Sequence, residues 1–296
     1  MRPDRLLPFL VCPESKEKLR LENGILRTNQ GKNYPLNRSG KVDFIGKAQT
    51  ASLEEQRDLT DRVKAAFKKL LGRSYILLVH VIAPVMPRIH WPGLQTYWKY
   101  IVKKHAENKS LVIQVGSGND RITADIVNID LFDFPETDLI ADCTRLPFAD
   151  SSVDGVVSLA VLEHVPNPDD FLKEAHRVLR PGGLFIVTGV PFIQGFHASP
   201  SDYTRWTHEG LDKWHRQHGF IKEDIIPNSG PTSAFLWIAQ EWMAILLSFG
   251  ITPLYYTWWA VFTLALFPVK LLDLLLIHYP QSYKINSFNI YVGKKA

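Results

Sequence analysis

The stretch LVIQVGSGND, residues 111–120, constrains this chain more than any other. Its first half is apolar except at Gln114 and runs directly into a glycine turn at Gly116 and Gly118. A short run of that kind reads as a strand buried on both faces, the habit of parallel sheets. In such sheets ligands sit at the carboxyl ends of the strands, beside the first glycine turn. The turn then limits the ligand. A dinucleotide fingerprint G-x-G-x-x-G would need glycine where Arg121 stands, and no G-x-x-x-x-G-K phosphate loop occurs. A nucleoside without phosphates fits better. It needs close backbone approach at the turn and a carboxylate at the next strand end for the ribose hydroxyls. Asp130 closes IVNID and is placed for the ribose; Asp142, in ADCTRLPF, is placed for an adenine amino group.

The rest of the central block alternates strands with helices. IVNID, DLIA, VDGVVSLA and LFIVTGV read as further strands. NPDDFLKEAHRVLRPGG reads as a helix capped by Asn167, with Pro168 in its first turn and Asp169 and Asp170 at the positive end of its dipole. Phe171, Leu172, Ala175, Val178 and Leu179 form its apolar stripe, and Pro-Gly-Gly is its expected stop. Helix THEGLDKWHRQHG and strands FIKEDII and SFNIYVGKK complete the pattern. His215 and His218, three apart on that helix, read as a solvated face rather than a metal pair. Strands separated by helices predict an α/β, Rossmann-like, doubly wound sheet.

VGSGN, NID, ADCTRLPFADSSVDGVVSLAVLEHVPNP and EAHRVLRPGGLFIVTGVPF resemble, in order and spacing, the motif series of class I S-adenosylmethionine-dependent methyltransferases of the type 11 kind. The resemblance covers roughly residues 110–226. It implies a seven-stranded sheet whose last strand, SFNIYVGKK, inserts antiparallel. It also implies S-adenosyl-L-methionine as cofactor, held by Gln114, Gly116, Ser117, Gly118, Asp130, Leu131, Asp142, Cys143 and Ala160. Three departures stand out. Gln114 replaces the usual acidic residue two before the first turn glycine, Asp120 replaces the third glycine, and only 12 positions separate Gly118 from Asp130, so the first helix must be very short. An amide can still accept a hydrogen bond from the methionine ammonium, without full charge assistance.

Methyl transfer from a sulfonium leaves the protein to align the acceptor and, for a hydroxyl, to remove its proton. Histidine titrates in the right range. Glu163 and His164 follow the fourth strand of the block. The loop PFIQGFHASPSDYTRWT gathers His197, Asp202, Tyr203, Arg205 and Thr207, and polarity of that density suits a substrate lid. It resembles a loop in a subset of these methyltransferases linked to bacterial cell-surface glycan synthesis. The expected catalytic set is His197 as general base, His164, and Tyr203 and Arg205 to orient the acceptor. No metal site is expected.

Residues 1–46 alternate short apolar segments with Asn-Gly, Gln-Gly and Ser-Gly turns, which is hairpin chemistry. They resemble the small zinc-ribbon-like activating partner of tRNA and protein methyltransferases. That family carries two C-x-x-C pairs; here Cys12 alone remains, with Ser15, Arg27 and Gln30 at the other positions. One cysteine cannot complete a tetrahedral site, so no zinc is expected, and Leu6, Leu7, Phe9, Leu19, Ile25, Tyr34, Leu36 and Phe44 are expected to hold the unit by packing. Cys12 and Cys143, the two cysteines of the chain, point to a reducing compartment. The N-terminal apolar run, broken by Pro8, is too short for a signal peptide.

Between Glu241 and Lys270 no residue is charged. Because the final strand must return to the same sheet, this segment cannot cross a membrane an odd number of times. It reads as two helices, about 232–249 and 254–278, bent at Gly250 and Pro253. Gln240, Glu241, Lys270 and Asp273 make a full crossing costly, so a hairpin dipping into one leaflet is expected. The basic helix 52–71 (Ser52 N-cap, Glu55), the apolar run at 75–86 and an aromatic helix at 94–105 are further membrane-facing elements. Trp91, Trp98, Trp237, Trp242, Trp258 and Trp259 suit an interface. A net charge of +4 does not indicate a nucleic-acid surface.

The predicted organisation is a degenerate zinc-ribbon-like domain at 1–46 and a helical linker or lid at 47–108. The methyltransferase core is 109–231 with 284–296, and an apolar helical insertion fills 232–283. The predicted function is methyl transfer from S-adenosylmethionine to oxygen of a lipid-linked glycan or other membrane-presented acceptor. The site would be cytoplasmic, peripheral or monotopic at the inner membrane face. The alternative is a non-catalytic, membrane-associated module that binds the same cofactor. An NAD-dependent sugar-modifying enzyme lacks its third glycine.

Overall fold

The computed structural model describes residues 3–37, 39–46, 72, 110–118, 121–197 and 201–296. The elements expected at 52–71, 75–86 and 94–105, Trp91, Trp98 and Asp120 lie outside them. Eleven strands are described: β1 (Arg20–Glu22), β2 (Ile25–Arg27), β3 (Asn33–Pro35), β4 (Val42–Asp43), β5 (Val112–Val115), β6 (Val127–Asp130), β7 (Leu139–Ile140), β8 (Val153–Leu159), β9 (Leu179–Pro191), β10 (Phe220–Pro227) and β11 (Phe288–Lys295). The described α-helices are α1 (Pro3–Leu6), α2 (Pro168–Val178), α3 (His208–Gln217), α4 (Pro231–Ser248), α5 (Thr252–Lys270) and α6 (Asp273–Leu276).

The main sheet runs β10-β11-β9-β8-β5-β6-β7-β4. Only β11 is antiparallel to its neighbours. The sheet therefore has eight strands, not seven. The additional strand, β4, comes from the N-terminal unit and pairs parallel with β7 through Val42↔Leu139 and Asp43↔Ile140. That unit does not stand apart. Its Leu6, Leu10, Leu19, Leu26 and Tyr34 share one buried cluster with Ile113, Ile129 and Phe185 of the sheet and with Phe148. Val11 N donates to the Pro147 carbonyl and Ala149 N to that of Phe9. Of the residues expected to hold the unit, Leu36 is exposed instead, since it follows the two-sided β3 at the rim.

Cys12 is buried. Its Sγ lies 3.0 Å from Tyr34 Oη. That hydroxyl donates to Glu14 Oε2 at 2.8 Å, and Lys32 Nζ pairs with Glu14 Oε1 at 2.7 Å. Burial opposes ionisation of Glu14, but the bonds from Lys32, Tyr34 and Cys12 outweigh it and hold the carboxyl down at about 2. A polar network knits the turn together.

Helix α2 ends at Val178, before the expected Pro-Gly-Gly. Arg180 precedes Pro181 and is pushed out of helical geometry, so Leu179 and Arg180 are already extended and β9 begins there. No helix joins β5 to β6 among the described residues. His215 is not on a solvated face. It is fully buried, stacked 3.7 Å from the Tyr291 ring, and burial lowers its pKa to about 3.

Between β10 and β11 stand α4 and α5, joined at Phe249 and Gly250, whose φ angles of 49° and 77° reverse the chain. The second helix stops at Lys270, short of the expected 278, two residues past Pro268. The interior of this hairpin is polar. Gln240 donates to Thr263 Oγ1 at 2.7 Å. Glu241 accepts from Tyr255 Oη at 2.6 Å and Trp259 Nε1 at 3.0 Å. Asp273 returns to the start of α4, where its carboxylate accepts from Thr232 N, Ser233 N and Ser233 Oγ at 2.8, 2.7 and 2.6 Å. Its partners are the orphan N–H groups of a helix N-terminus. The outside is apolar: Phe235, Ile238, Trp242, Ile245 and Phe249, spaced three and four apart, are all exposed. No described helix is long and apolar enough to cross a membrane.

Candidate active site

The glycine turn leaves β5 in left-handed backbone, with φ +69° at Gly116 and +54° at Gly118. A Cβ on Gly116 would come within 2.0 Å of Val161 Cγ2, so the turn is packed on the segment leaving β8. At Gly118 that position is open. Gly116 N and Ser117 N both donate to the Ile129 carbonyl, fixing the turn to β6. Asp130, at the end of β6, accepts from Gly118 N at 2.8 Å and Phe132 N at 3.0 Å. Its carboxylate thus spans the two strand ends, with Leu131 following. Asp142 accepts from Thr144 N and Oγ1, both at 2.8 Å. Beside it the Cys143 thiol is pushed up, by burial first and then by the Asp142 charge.

Polar capacity is left over here. Gln114 is fully buried, and neither amide atom has a hydrogen-bond partner among the described residues; the Ser117 hydroxyl is in the same position. Unmet buried polar groups cost on the order of 1–3 kcal/mol each. With the open side of Gly118 and the Asp130 carboxylate, they fit an adenosyl amino-acid cofactor.

The second half of the site is built by the ends of β8 and β9. Ala160, left-handed at φ +50°, donates to the Thr188 carbonyl, and a Cβ on Gly189 would lie 3.1 Å from it. A single 3-10 turn, Leu162–His164, follows. Glu163 is wholly buried and neither carboxylate oxygen accepts a hydrogen bond among the described residues. Two imidazoles face it. His164 Nε2 is 3.8 Å and His197 Nε2 3.7 Å from Glu163 Oε1. The rings meet edge to face at 5.2 Å.

His197 arrives on the loop after β9. Asp202 holds that loop, accepting from His197 N at 2.8 Å and facing His197 Nδ1 at 3.4 Å. Burial would raise the Asp202 carboxyl, but Arg205 and the His197 amide outweigh it and keep it below the usual carboxylate range. Arg205 also donates to the Thr204 and Gly195 carbonyls. Its guanidinium therefore braces the loop. Tyr203 donates its backbone N–H to the Glu163 carbonyl at 2.7 Å, while its side chain is exposed. The loop rests on α4: Trp237 lies 6.0 Å from the His197 ring, and a Cβ on Gly195 would meet its Nε1 at 2.7 Å.

The structure thus gathers His164 and His197 and keeps Arg205 one shell behind. Sequence reasoning named Glu163 and Asp202 only as neighbours. Their burial, which makes them central, has no signature in LEHV or SDY. Trp237 was read only as an interfacial tryptophan.

The order β7-β6-β5-β8-β9-β11-β10 in the sheet, with a glycine turn answered by Asp130, defines an α/β fold with a parallel-dominated sheet. Residues 113–187 match the methyltransferase domain family, whose cofactor is S-adenosyl-L-methionine. An uncharacterized methyltransferase of Mycobacterium sp. strain KMS is 33% identical over 129 residues, covering 42% of this chain and 50% of its own. A malonyl-[acyl-carrier protein] O-methyltransferase of Coxiella burnetii is 37% identical over 76 residues, 25% of this chain and 27% of its own. The chain spans half or less of the length of these relatives. The N1-methyltransferase for 1,6-didemethyltoxoflavin of Burkholderia thailandensis, solved with S-adenosylhomocysteine, aligns at 14% identity and TM-score 0.44 over 94% of this chain and 98% of its own.

Proposed function

We propose that this protein transfers a methyl group from S-adenosylmethionine to an oxygen atom of an acceptor presented at a membrane surface, a lipid-linked glycan being the reading favoured. The observation that carries it is the junction at Trp237. One side of α4 touches the His197 loop, and the other exposes an unbroken apolar stripe. Exposed apolar surface of that extent marks a site of interaction, and a stripe that itself carries no charged residue suits the boundary between headgroups and acyl chains.

When bound, the cofactor supplies an electrophilic methyl group on sulfur. Asp130 and the turn from Gly116 to Gly118 would seat its ribose and backbone, with Asp142 and Cys143 along the adenine and Gln114 and Ser117 towards the amino-acid end. Ala160 and Val161 would bring the chain from that seat to Glu163, His164 and His197. There the acceptor hydroxyl would give up its proton. Tyr203 would line the acceptor's entry, and Arg205 would hold Asp202 and hence His197. The N-terminal unit would brace the sheet edge through β4. The protein would sit as a peripheral or monotopic enzyme at the inner membrane face.

Labelled S-adenosylmethionine incubated with the full chain and a membrane lipid extract tests this. Label should pass into an organic-extractable product, and His197→Ala should abolish transfer while leaving cofactor affinity intact. Cofactor binding without transfer to any fraction would support the non-catalytic reading instead.

A further inference from the structure

We propose that Glu163, His164 and His197 bind one divalent first-row transition cation. One carboxylate oxygen and two imidazole nitrogens lie within 4.8 Å of one another. Donors sharing a cation at about 2.0–2.2 Å sit roughly 3–4 Å apart. The two Nε2–Oε1 separations, 3.8 and 3.7 Å, fall in that range. They are too long for hydrogen bonds, so a proton shared between Glu163 and either ring does not account for the arrangement. The carboxylate supplies the independent observation: it is fully buried, aimed between the rings, and accepts no hydrogen bond among the described residues. A carboxylate so placed is stabilised as an ion by a cationic partner.

The surroundings of the two rings agree. His164 Nδ1 lies 2.5 Å from the Ser201 carbonyl, which only accepts. A neutral ring would thus carry its proton on Nδ1 and turn its Nε2 lone pair toward Glu163. His197 repeats the arrangement with Nδ1 toward the Asp202 carboxylate and Nε2 toward Glu163. Metal-bound histidines characteristically give their other nitrogen to a carbonyl or carboxylate in this way. Two imidazoles and one carboxylate suit manganese, iron or cobalt better than magnesium, which prefers oxygen. Three ligands on one side leave positions open toward the partly exposed rings.

The role given to the cation, unlike its binding, rests on the methyl-transfer reading above. An acceptor hydroxyl ligated there loses its proton to solvent more readily. Its oxygen then forms the O–CH3 bond as the S–CH3 bond of the cofactor breaks, the electron pair remaining on sulfur. This replaces the lone-base role expected for His197 and the expectation of no metal.

The test uses the full chain, stripped with a chelator and titrated with Mn(II) alone, free ion being read by electron spin resonance. One site per chain should fill at micromolar Mn(II). Glu163→Gln should weaken it by about 100-fold and Asp202→Asn by about 10-fold. Co(II) bound instead should show a visible absorption band that His197→Ala loses. S-adenosylmethionine binding, followed separately by calorimetry, should persist in Glu163→Gln. No uptake of Mn(II) or Co(II) by the wild type, or equal uptake by Glu163→Gln, overturns the site. Uptake of metal without cofactor binding leaves the site standing and removes methyl transfer.

Discussion

Helices α2 and α4 are built on the same periodicity and turned opposite ways. In α2, Phe171, Leu172, Ala175 and Val178 face the core, while Asp170 and Lys173 face solvent and pair at 3.1 Å. In α4 the buried face carries Thr232, Ser233, Ala234, Gln240, Ala244 and Ser248, with Leu236 and Trp237, and Phe235, Ile238, Trp242, Ile245 and Leu246 point out. A helix in water buries its apolar stripe. The inversion means that the polar residues of α4 find partners inside the hairpin, whereas Phe235, Ile238, Trp242, Ile245 and Leu246 are left exposed. Whatever covers α4 must therefore be apolar. The proximity of Trp237 to His197 then ties whatever covers it to the candidate site.

That contrast is breakable. The largest effect should come from Phe171→Ala, which opens a cavity under α2 and should cost about 3–5 kcal/mol in denaturant unfolding. Trp242→Ala, an equally large truncation on the outer face of α4, should change stability by less than about 0.5 kcal/mol; a loss comparable to that of Phe171→Ala would mean that the stripe is covered by the chain itself. Next, Trp242→Glu with Phe249→Glu should reduce co-sedimentation with anionic vesicles about 100-fold while leaving the unfolding midpoint in plain buffer unchanged. Vesicle binding equal to wild type would remove the membrane from the account.

The interior of the hairpin gives two smaller effects. Asp273→Ala takes the acceptor from three donors at the start of α4 and should cost about 2 kcal/mol. Lys270 is buried at the end of α5, and burial lowers its pKa to about 8, with nearby Asp273 opposing. The folded state thus releases this proton more easily than the unfolded chain, whose lysine titrates near 10.4. Stability should be fully present above that value, fall as pH drops towards 8, and be flat below. Lys270→Met should flatten the slope by about 1–2 kcal/mol across that window, measured by urea unfolding at each pH.

Much of the fold was legible because its signals are local. The buried run into Gly116, the capped and striped α2, and the stretch without charge between Glu241 and Lys270 each announce themselves within a few turns of chain. Strand β4 was not legible: two residues have no period, and only the β7 edge makes Val42 and Asp43 a strand. His215 was misread because His-x-x-His on a polar helix looks solvated, while the ring of Tyr291 in β11, 76 positions later, is what buries it. In the site, Asp130 could be placed because it closes the strand IVNID that follows the glycine turn. Glu163 could not, because its importance lies in what surrounds it, namely two imidazoles from segments 33 residues apart and, among the described residues, no hydrogen-bond donor.

The account depends first on the turn at Gly116 and Gly118 seating an adenosyl cofactor against Asp130. Calorimetric titration of the purified chain with S-adenosylmethionine tests that directly. One molecule per chain should bind with a dissociation constant of about 1–100 µM, and Gly116→Val, which drives a side chain into Val161, should abolish it. No binding at millimolar concentration by a folded protein would contradict the account.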